Sequence, residues 1–154
     1  MSRPTKATVE YFPHYVNHGK TMFVIESKYG NDGYAFWFKL LELLGASEQH
    51  YIDCNNNGTW EYLLAKTKVD DNTSKDILDL LSCLDAIDKE LWSHKIIRSN
   101  NFIDNLSSVY KRREVQLMTN EEVLRLCIQK SCLNGINDNN NTLSSDINVN
   151  NNPQ

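Results

Sequence analysis

The chain has 154 residues, of which 40% are apolar, and a formal net charge of -4 at pH 7. This length supports one domain with a core and a tail, and it excludes two ordinary domains. The mild negative charge excludes a protein that coats nucleic acid by bulk electrostatics, so any DNA contact must come from a local basic patch. No apolar run is long enough to span a membrane, and the N-terminus lacks the apolar stretch of a secretory signal, which predicts a cytoplasmic protein without membrane contact. The four cysteines form no CxxC pair and are predicted to be reduced thiols.

Residues 1–19 are predicted to form an irregular N-terminal arm. Pro13 favours extended geometry at Phe12, because the proline ring clashes with a helical conformation of the residue before it. We therefore expect the arm to lie over the domain and to bury its aromatic side chains Tyr11, Phe12 and Tyr15 there.

Two helices are predicted between residues 20 and 46. The first covers residues 20–29 and ends at Gly30, a residue typical of helix C-termini, and residues 31–33 then form a turn. The second covers residues 33–46 and is the most apolar element of the chain, which places it in the centre of the core. Its helical spacing is carried by Trp37, Leu40, Leu41 and Leu44.

The middle of the chain predicts a short strand followed by two helices. Residues 51–54 are compatible with a strand, and the turn at residues 55–58 ends it. Thr59 is the predicted cap of a two-turn helix. A further helix follows Val69, where residues 73–76 offer a capping signature. The two helices are joined by a short polar turn.

Residues 91–92 and 95–98 are predicted to form one or two short strands. Ser99 can cap the next helix, whose apolar positions keep helical spacing from Phe102 to Tyr110. We therefore predict a helix at this place in preference to a second wing strand.

The order helix, short strand, helix, helix and strand is typical of a winged helix. The predicted fold is mainly α with a small β element, a winged-helix-type domain over residues 1–116. An additional helix at residues 117–133 begins with the capping box of residues 119–122. Residues 134–154 are rich in Asn and poor in large apolar side chains, so they are predicted to be a disordered tail.

The sequence contains no convincing nucleophile with a base, pair of acids, phosphate-binding loop or metal motif, so neither an enzymatic activity nor a cofactor is predicted. His14 and His18 are four positions apart and would suit a metal ion if they shared a helix face. Pro13 and Gly19 argue against a helix here. Ordinary surface histidines are therefore favoured, and no metal site is predicted.

Acidic side chains dominate residues 70–90. A solvated helix surface is the favoured interpretation, and a protein-binding face is the alternative. In a helix-turn-helix, the acidic helix after Val69 would enter the major groove and would repel the phosphates. The candidate protein-interaction residues are Asp76, Asp79, Asp85 and Asp88.

Basic side chains collect near both ends of the predicted domain. If they converge in space, they form a strip that contacts phosphates with steep salt dependence and little discrimination between bases. A solubilising surface is the competing interpretation. The candidate nucleic-acid-binding residues are Arg3, Lys6, Lys95, Arg98, Lys111, Arg112 and Arg113.

Two sets of motifs carry a family resemblance. The N-terminal set is Arg3-Pro4 with Lys6, Tyr11-Phe12-Pro13, and Tyr29-Gly30 with Gly33 before Leu40-Leu41. The second set is Ile96-Ile97-Arg98-Ser99, Phe102-Ile103 and Tyr110-Lys111-Arg112-Arg113. Over about residues 1–115, these motifs resemble the N-terminal domain of phage and prophage replisome organizers, a group similar to the DnaD N-terminal domain.

The resemblance implies a winged-helix fold and a role in starting phage or plasmid DNA replication, through origin binding or through bridging to a helicase loader. We therefore predict a module without enzymatic activity that binds double-stranded DNA. The alternative is a protein-interaction adaptor, which contacts another replisome protein or associates with itself as a homo-oligomer.

Overall fold

The computed structural model describes residues 6–141, with side chains up to residue 135. This part of the chain is mostly helical with one small antiparallel sheet, which confirms the predicted fold class. None of its helices is long and apolar enough to cross a membrane. The helices are α1 (Lys20–Ala46), α2 (Asn57–Thr67), α3 (Asp71–Cys83), α4 (Lys89–Ser93), α5 (Asn100–Asn105), α6 (Ser107–Arg113) and α7 (Asn120–Asn141). A single 3-10 turn covers Glu48–His50, and the strands are β1 (Ile52–Asp53) and β2 (Ile96–Ile97).

The two strands pair across the domain, with Ile52 opposite Ile97 and Asp53 opposite Ile96. Both strands fall inside segments that the sequence predicts as extended. Helix α5 follows β2 directly, as predicted, so residues 6–141 contain no third strand that could complete a wing. The winged-helix type therefore stays a prediction.

Helix α1 contains a break at Gly30, whose φ of 61° and ψ of -144° are essentially restricted to glycine. The predicted stop at Gly30 is thus confirmed in position. The predicted turn at residues 31–33 is wrong, because the helix resumes immediately after the glycine and continues to Ala46.

Two predicted helix caps are each displaced by three residues. The side chain of Asn56 accepts a hydrogen bond from the Thr59 N–H at 3.0 Å, and that of Asp70 accepts one from the Thr73 N–H at 3.0 Å. Both threonines are therefore donors to a cap and not caps themselves, because an Asn or Asp stands at the preferred position upstream. The cap predicted at Ser99 is confirmed.

Two elements differ from their predicted form. Leu91 and Trp92 lie in α4 and not in a strand, because the Asp88 side chain accepts from the Leu91 N–H and starts a helical turn. The predicted helix after Ser99 is divided into α5 and α6 at Leu106, which has φ -92° and ψ 0°.

The core forms around the second half of α1, as the apolar pattern predicts. Phe36, Leu40 and Leu44 are fully buried and pack in one cluster with Ile77 and Leu81 of α3. This packing holds α1, α2 and α3 together, since apolar burial is the main favourable term in folding.

Helix α7 packs on the domain through Val123 and Cys127, which are buried beside Leu91 and Ile96. Its predicted capping box is confirmed: the Thr119 N–H donates to Glu122 Oε2 at 2.8 Å, and the Glu122 N–H donates to Thr119 Oγ1 at 3.2 Å. The helix is described as far as Asn141, beyond the predicted limit at residue 133. The rest of the predicted tail, residues 142–154, lies outside the described residues.

Candidate functional site

The N-terminal arm lies against the end of α6, and this contact brings distant basic residues together. Arg113 donates hydrogen bonds from Nη1 to the main-chain carbonyls of Lys6 at 3.0 Å and Thr8 at 2.7 Å. The Val9 N–H donates to the carbonyl of Gly45 at 2.8 Å and fastens the same segment to α1. The arm is therefore held by main-chain contacts on two sides.

Lys6, Arg112 and Arg113 border one open surface cavity next to Val109, and we call these three residues the basic cluster. All three side chains are exposed. Lys6 Nζ also lies 2.9 Å from Glu10 Oε1, a surface ion pair of the kind that contributes little to stability. The cavity is lined by two arginines and one lysine against one acid, Glu10, so it forms a local positive patch on a chain that is negative overall.

Two predicted members of the strip lie elsewhere. Lys111 is exposed but borders a different cavity on the other side of α6, together with Asp104 and Glu114. Lys95 borders a third cavity beside α7, and its Nζ lies 4.6 Å from the centre of the Trp92 ring. Arg3 lies outside the described residues.

The prediction that Arg98 contacts phosphates is wrong. Its side chain is only 2% exposed and donates hydrogen bonds to Asn120 Oδ1 at 2.7 Å and to the Met118 carbonyl at 2.7 Å. A longer bond of 3.3 Å reaches the carbonyl of Gln49. Burial lowers the pKa of the Arg98 guanidinium, and the charge of Asp88 acts in the opposite direction. Arg98 therefore joins the start of α7 to the domain and is closed off from a ligand.

The acidic candidates also have partners within the domain. Asp79 accepts a hydrogen bond from Trp92 Nε1 at 2.7 Å. Asp88 caps α4, and its Oδ2 also accepts from the side-chain amide of Asn120 at 3.0 Å. Asp85 forms an exposed ion pair with Lys89 at 2.8 Å. Two of the four predicted residues, Asp79 and Asp88, therefore fix helices to each other, whereas Asp76 is exposed.

A buried polar pair, His50 and Tyr110, is not predicted by the sequence. His50 Nδ1 donates to the Leu44 carbonyl at 2.8 Å, so its Nε2 accepts a hydrogen bond from the Tyr110 hydroxyl. His50 is fully buried, and burial lowers the pKa of its imidazole while it raises the pKa of the Tyr110 phenol. The pair joins the end of α1 to α6, the helix that carries the two arginines of the basic cluster.

This pair predicts that stability depends on pH. The folded-state pKa of His50 lies below its usual value of 6.5, so the unfolded chain takes up the proton first as the pH falls. The contribution of His50 to stability is therefore present above about pH 6.5 and is lost progressively below it. Urea unfolding between about pH 8 and about pH 5.5 should show this loss in the wild type. The loss should be smaller in His50→Gln, and equal pH dependence in the two proteins would contradict the role of His50.

The prediction that the arm buries its aromatic residues holds only for Phe12, whose ring meets Phe102 edge-on at a centroid distance of 5.4 Å. Tyr11 is 81% exposed, and Tyr15 is also exposed.

One family model, described as Lin1244/Lin1753-like, N-terminal, matches residues 11–102. The chain belongs to this family. The Lin1244/Lin1753-like region runs from the arm through both strands to the start of α5, and the basic cluster flanks it on both sides. No curated protein and no solved structure matches the chain. The family description names no activity, so the resemblance to replisome organizers stays a prediction.

Proposed function

We propose that this domain binds double-stranded DNA by contacting its phosphate backbone, without enzymatic activity. The observation that supports this function is the convergence of Lys6, Arg112 and Arg113 at one exposed cavity. The Arg112 guanidinium can bind phosphate oxygens through two parallel hydrogen bonds. Arg113, whose Nη1 is bonded to two carbonyls, and Lys6, which pairs with Glu10, add positive charge beside it. The patch suits a backbone that carries a negative charge at every nucleotide.

The charge of α3 argues that this contact carries little sequence information. In the predicted helix-turn-helix, α3 would be the helix in the major groove, yet its exposed residue Asp76 and its half-buried residue Asp71 are acidic. Lys75 is already paired with Asp71 at 2.6 Å. Contact through the basic cluster avoids this repulsion, and phosphate contacts position a protein without reading bases.

The biological setting comes from the resemblance to phage and prophage replisome organizers. In that setting, a domain held on the DNA backbone takes part in starting phage or plasmid replication, either at an origin or as a bridge to a helicase loader. Duplex DNA would be its first partner, and the other replisome protein would bind elsewhere on the domain.

The sharpest test compares neighbouring residues of α6. Arg112→Gln and Lys111→Gln remove one positive charge each, from exposed positions that border different cavities. We expect Arg112→Gln to weaken binding of a random-sequence duplex roughly five- to tenfold at low salt, by the loss of one phosphate contact. Lys111→Gln should change the affinity less than twofold. Fluorescence anisotropy of a labelled duplex measures both, and equal losses would show that only overall charge matters.

Self-association is the second candidate, and exposed apolar side chains favour it. Val16 of the arm is 92% exposed and Phe23 of α1 is 75% exposed, in addition to Tyr11. Large exposed apolar groups are common at protein interfaces. A dimer in light scattering that Phe23→Ser disrupts, together with no duplex binding at low salt, would favour an adaptor in place of a DNA-binding module.

A further inference from the structure

Two histidines of the arm meet beside α1. The chain bends at Val16 and Asn17, and this bend brings His14 Nε2 to within 3.4 Å of His18 Nε2. The hydroxyl of Tyr34 lies 3.2 Å from the same nitrogen of His14. These histidines therefore meet without sharing a helix face, because the bend brings their rings together.

Helix α1 holds this arrangement through ring contacts. The imidazole of His14 stacks on the ring of Phe38 at a centroid distance of 4.0 Å and an interplanar angle of 13°. Tyr34 and Phe38 lie one helical turn apart, and their own rings are 4.9 Å apart. The stack orients the His14 ring so that Nε2 faces both His18 and Tyr34.

The separation of the two nitrogens is that of a long hydrogen bond, and it also matches two ligands of one shared cation. Direct hydrogen bonds from N–H groups are typically about 2.7–3.2 Å long. A tetrahedral metal ion with metal–nitrogen bonds of about 2.0–2.1 Å separates two imidazole nitrogens by about 3.3–3.4 Å. The observed 3.4 Å between His14 Nε2 and His18 Nε2 equals that separation.

We propose that His14 and His18 bind a divalent late first-row transition metal ion, such as Zn²⁺, through their Nε2 atoms. Imidazole nitrogen prefers such ions, whereas Mg²⁺ and Ca²⁺ take oxygen ligands. The Tyr34 hydroxyl supplies a weaker third donor, and water completes the coordination. Residues 6–141 contain no group of three or more His, Cys, Asp or Glu side chains that could hold a metal, so the site is open and exchangeable.

Metal binding would have a structural consequence for the arm. His14 and His18 belong to the arm, and Tyr34 belongs to α1, so a bound ion would link the two segments and raise the melting temperature. The site lies apart from the basic cluster and does not depend on DNA binding.

The test is a Zn²⁺ titration of the full chain followed by NMR of the histidine rings. We expect one ion per chain, with ring signals of His14 and His18 shifting together and those of His94 unchanged. His94 is a matched control because it is exposed and its Nδ1 lies beside the Glu90 carbonyl on α4. His14→Gln and His18→Gln should each lose the site. His94→Gln should keep it, and Tyr34→Phe should weaken it severalfold.

Cysteines are the competing ligands, since Cys83 and Cys132 are exposed thiols. A Co²⁺ titration separates the two possibilities, because thiolate ligands give an intense charge-transfer band and imidazole ligands give only weak d–d bands. Weak bands that disappear in the His14→Gln/His18→Gln double variant would support the proposal. A thiolate band, or unchanged Zn²⁺ binding by the folded double variant, would overturn it.

Discussion

Replacing Arg98 with methionine is expected to lower the free energy of unfolding by about 3–5 kcal/mol, because three acceptors lose the buried guanidinium that pairs with them. Methionine is similar in size but cannot donate a hydrogen bond. Arg98 donates hydrogen bonds to the carbonyls of Met118 and Gln49 and to the side chain of Asn120. In the variant, these acceptors would lose their partner inside the protein. Each buried acceptor left unpaired costs about 1–3 kcal/mol.

The loss should extend along a connected network. The Asn120 side chain accepts a hydrogen bond from Arg98 and donates one to Asp88 Oδ2 at 3.0 Å. Asp88 in turn caps α4. The Gln49 side chain accepts from the Met118 N–H at 2.8 Å and closes the network on the other side. We therefore expect α7 to loosen first, with faster amide exchange at its start.

Urea unfolding measures the Arg98 effect, and Arg112→Met is the matched control because Arg112 is exposed. The control should change the free energy of unfolding by less than about 0.5 kcal/mol. If Arg98→Met unfolds like the control, while its DNA affinity falls, Arg98 would be a ligand-binding residue and its burial would have no energetic role.

Replacing Gly33 with alanine is expected to destabilise the domain by about 1–3 kcal/mol, the cost of overpacking a tight contact. In most helices the same change stabilises, because alanine has the highest helix propensity. The added Cβ would lie 2.8 Å from the Ile25 carbonyl oxygen and 2.8 Å from Tyr29 Cβ. The break at Gly30 creates this contact by turning the second part of α1 against the first.

Gly135 in α7 provides the control for Gly33, because nothing lies within 4 Å of a Cβ built at this position. Gly135→Ala should stabilise by up to about 1 kcal/mol, the difference in helix propensity. The two substitutions should thus shift the urea midpoint in opposite directions. A stabilising effect of Gly33→Ala would show that α1 is continuous in solution and that the break at Gly30 is not populated.

The periodic and capping patterns of the sequence predict the helices well because those signals are local. The apolar spacing of residues 33–46 predicts the buried face of α1, and Ser99 and Thr119 start their helices as expected. The sequence does not single out Asn56 and Asp70 as caps, because Thr is itself a good cap and only the hydrogen bonds show which residue accepts.

The candidate site was harder to predict because its determinants are distant along the chain. In the sequence, nothing distinguishes Arg98 from an exposed arginine, because its hydrogen-bond partners Gln49, Met118 and Asn120 are distant along the chain. The pairing of His50 with Tyr110 likewise depends on where α6 packs. Charge pattern predicted that basic residues from both ends could converge, but the carbonyl contacts of Arg113 decide which of them do.

The salt dependence of duplex binding tests the proposed function most directly. Each neutralised phosphate contributes about -0.9 to the slope of log K against log salt, so the two arginines predict a slope of about -2, and a slope of about -3 requires Lys6 to exchange its ion pair with Glu10 for a phosphate. We expect a random-sequence duplex and any candidate origin duplex to give similar slopes, and Arg112→Gln to reduce the slope by about one. No binding at the lowest salt, or a slope that Arg112→Gln leaves unchanged, would contradict phosphate contact by the basic cluster.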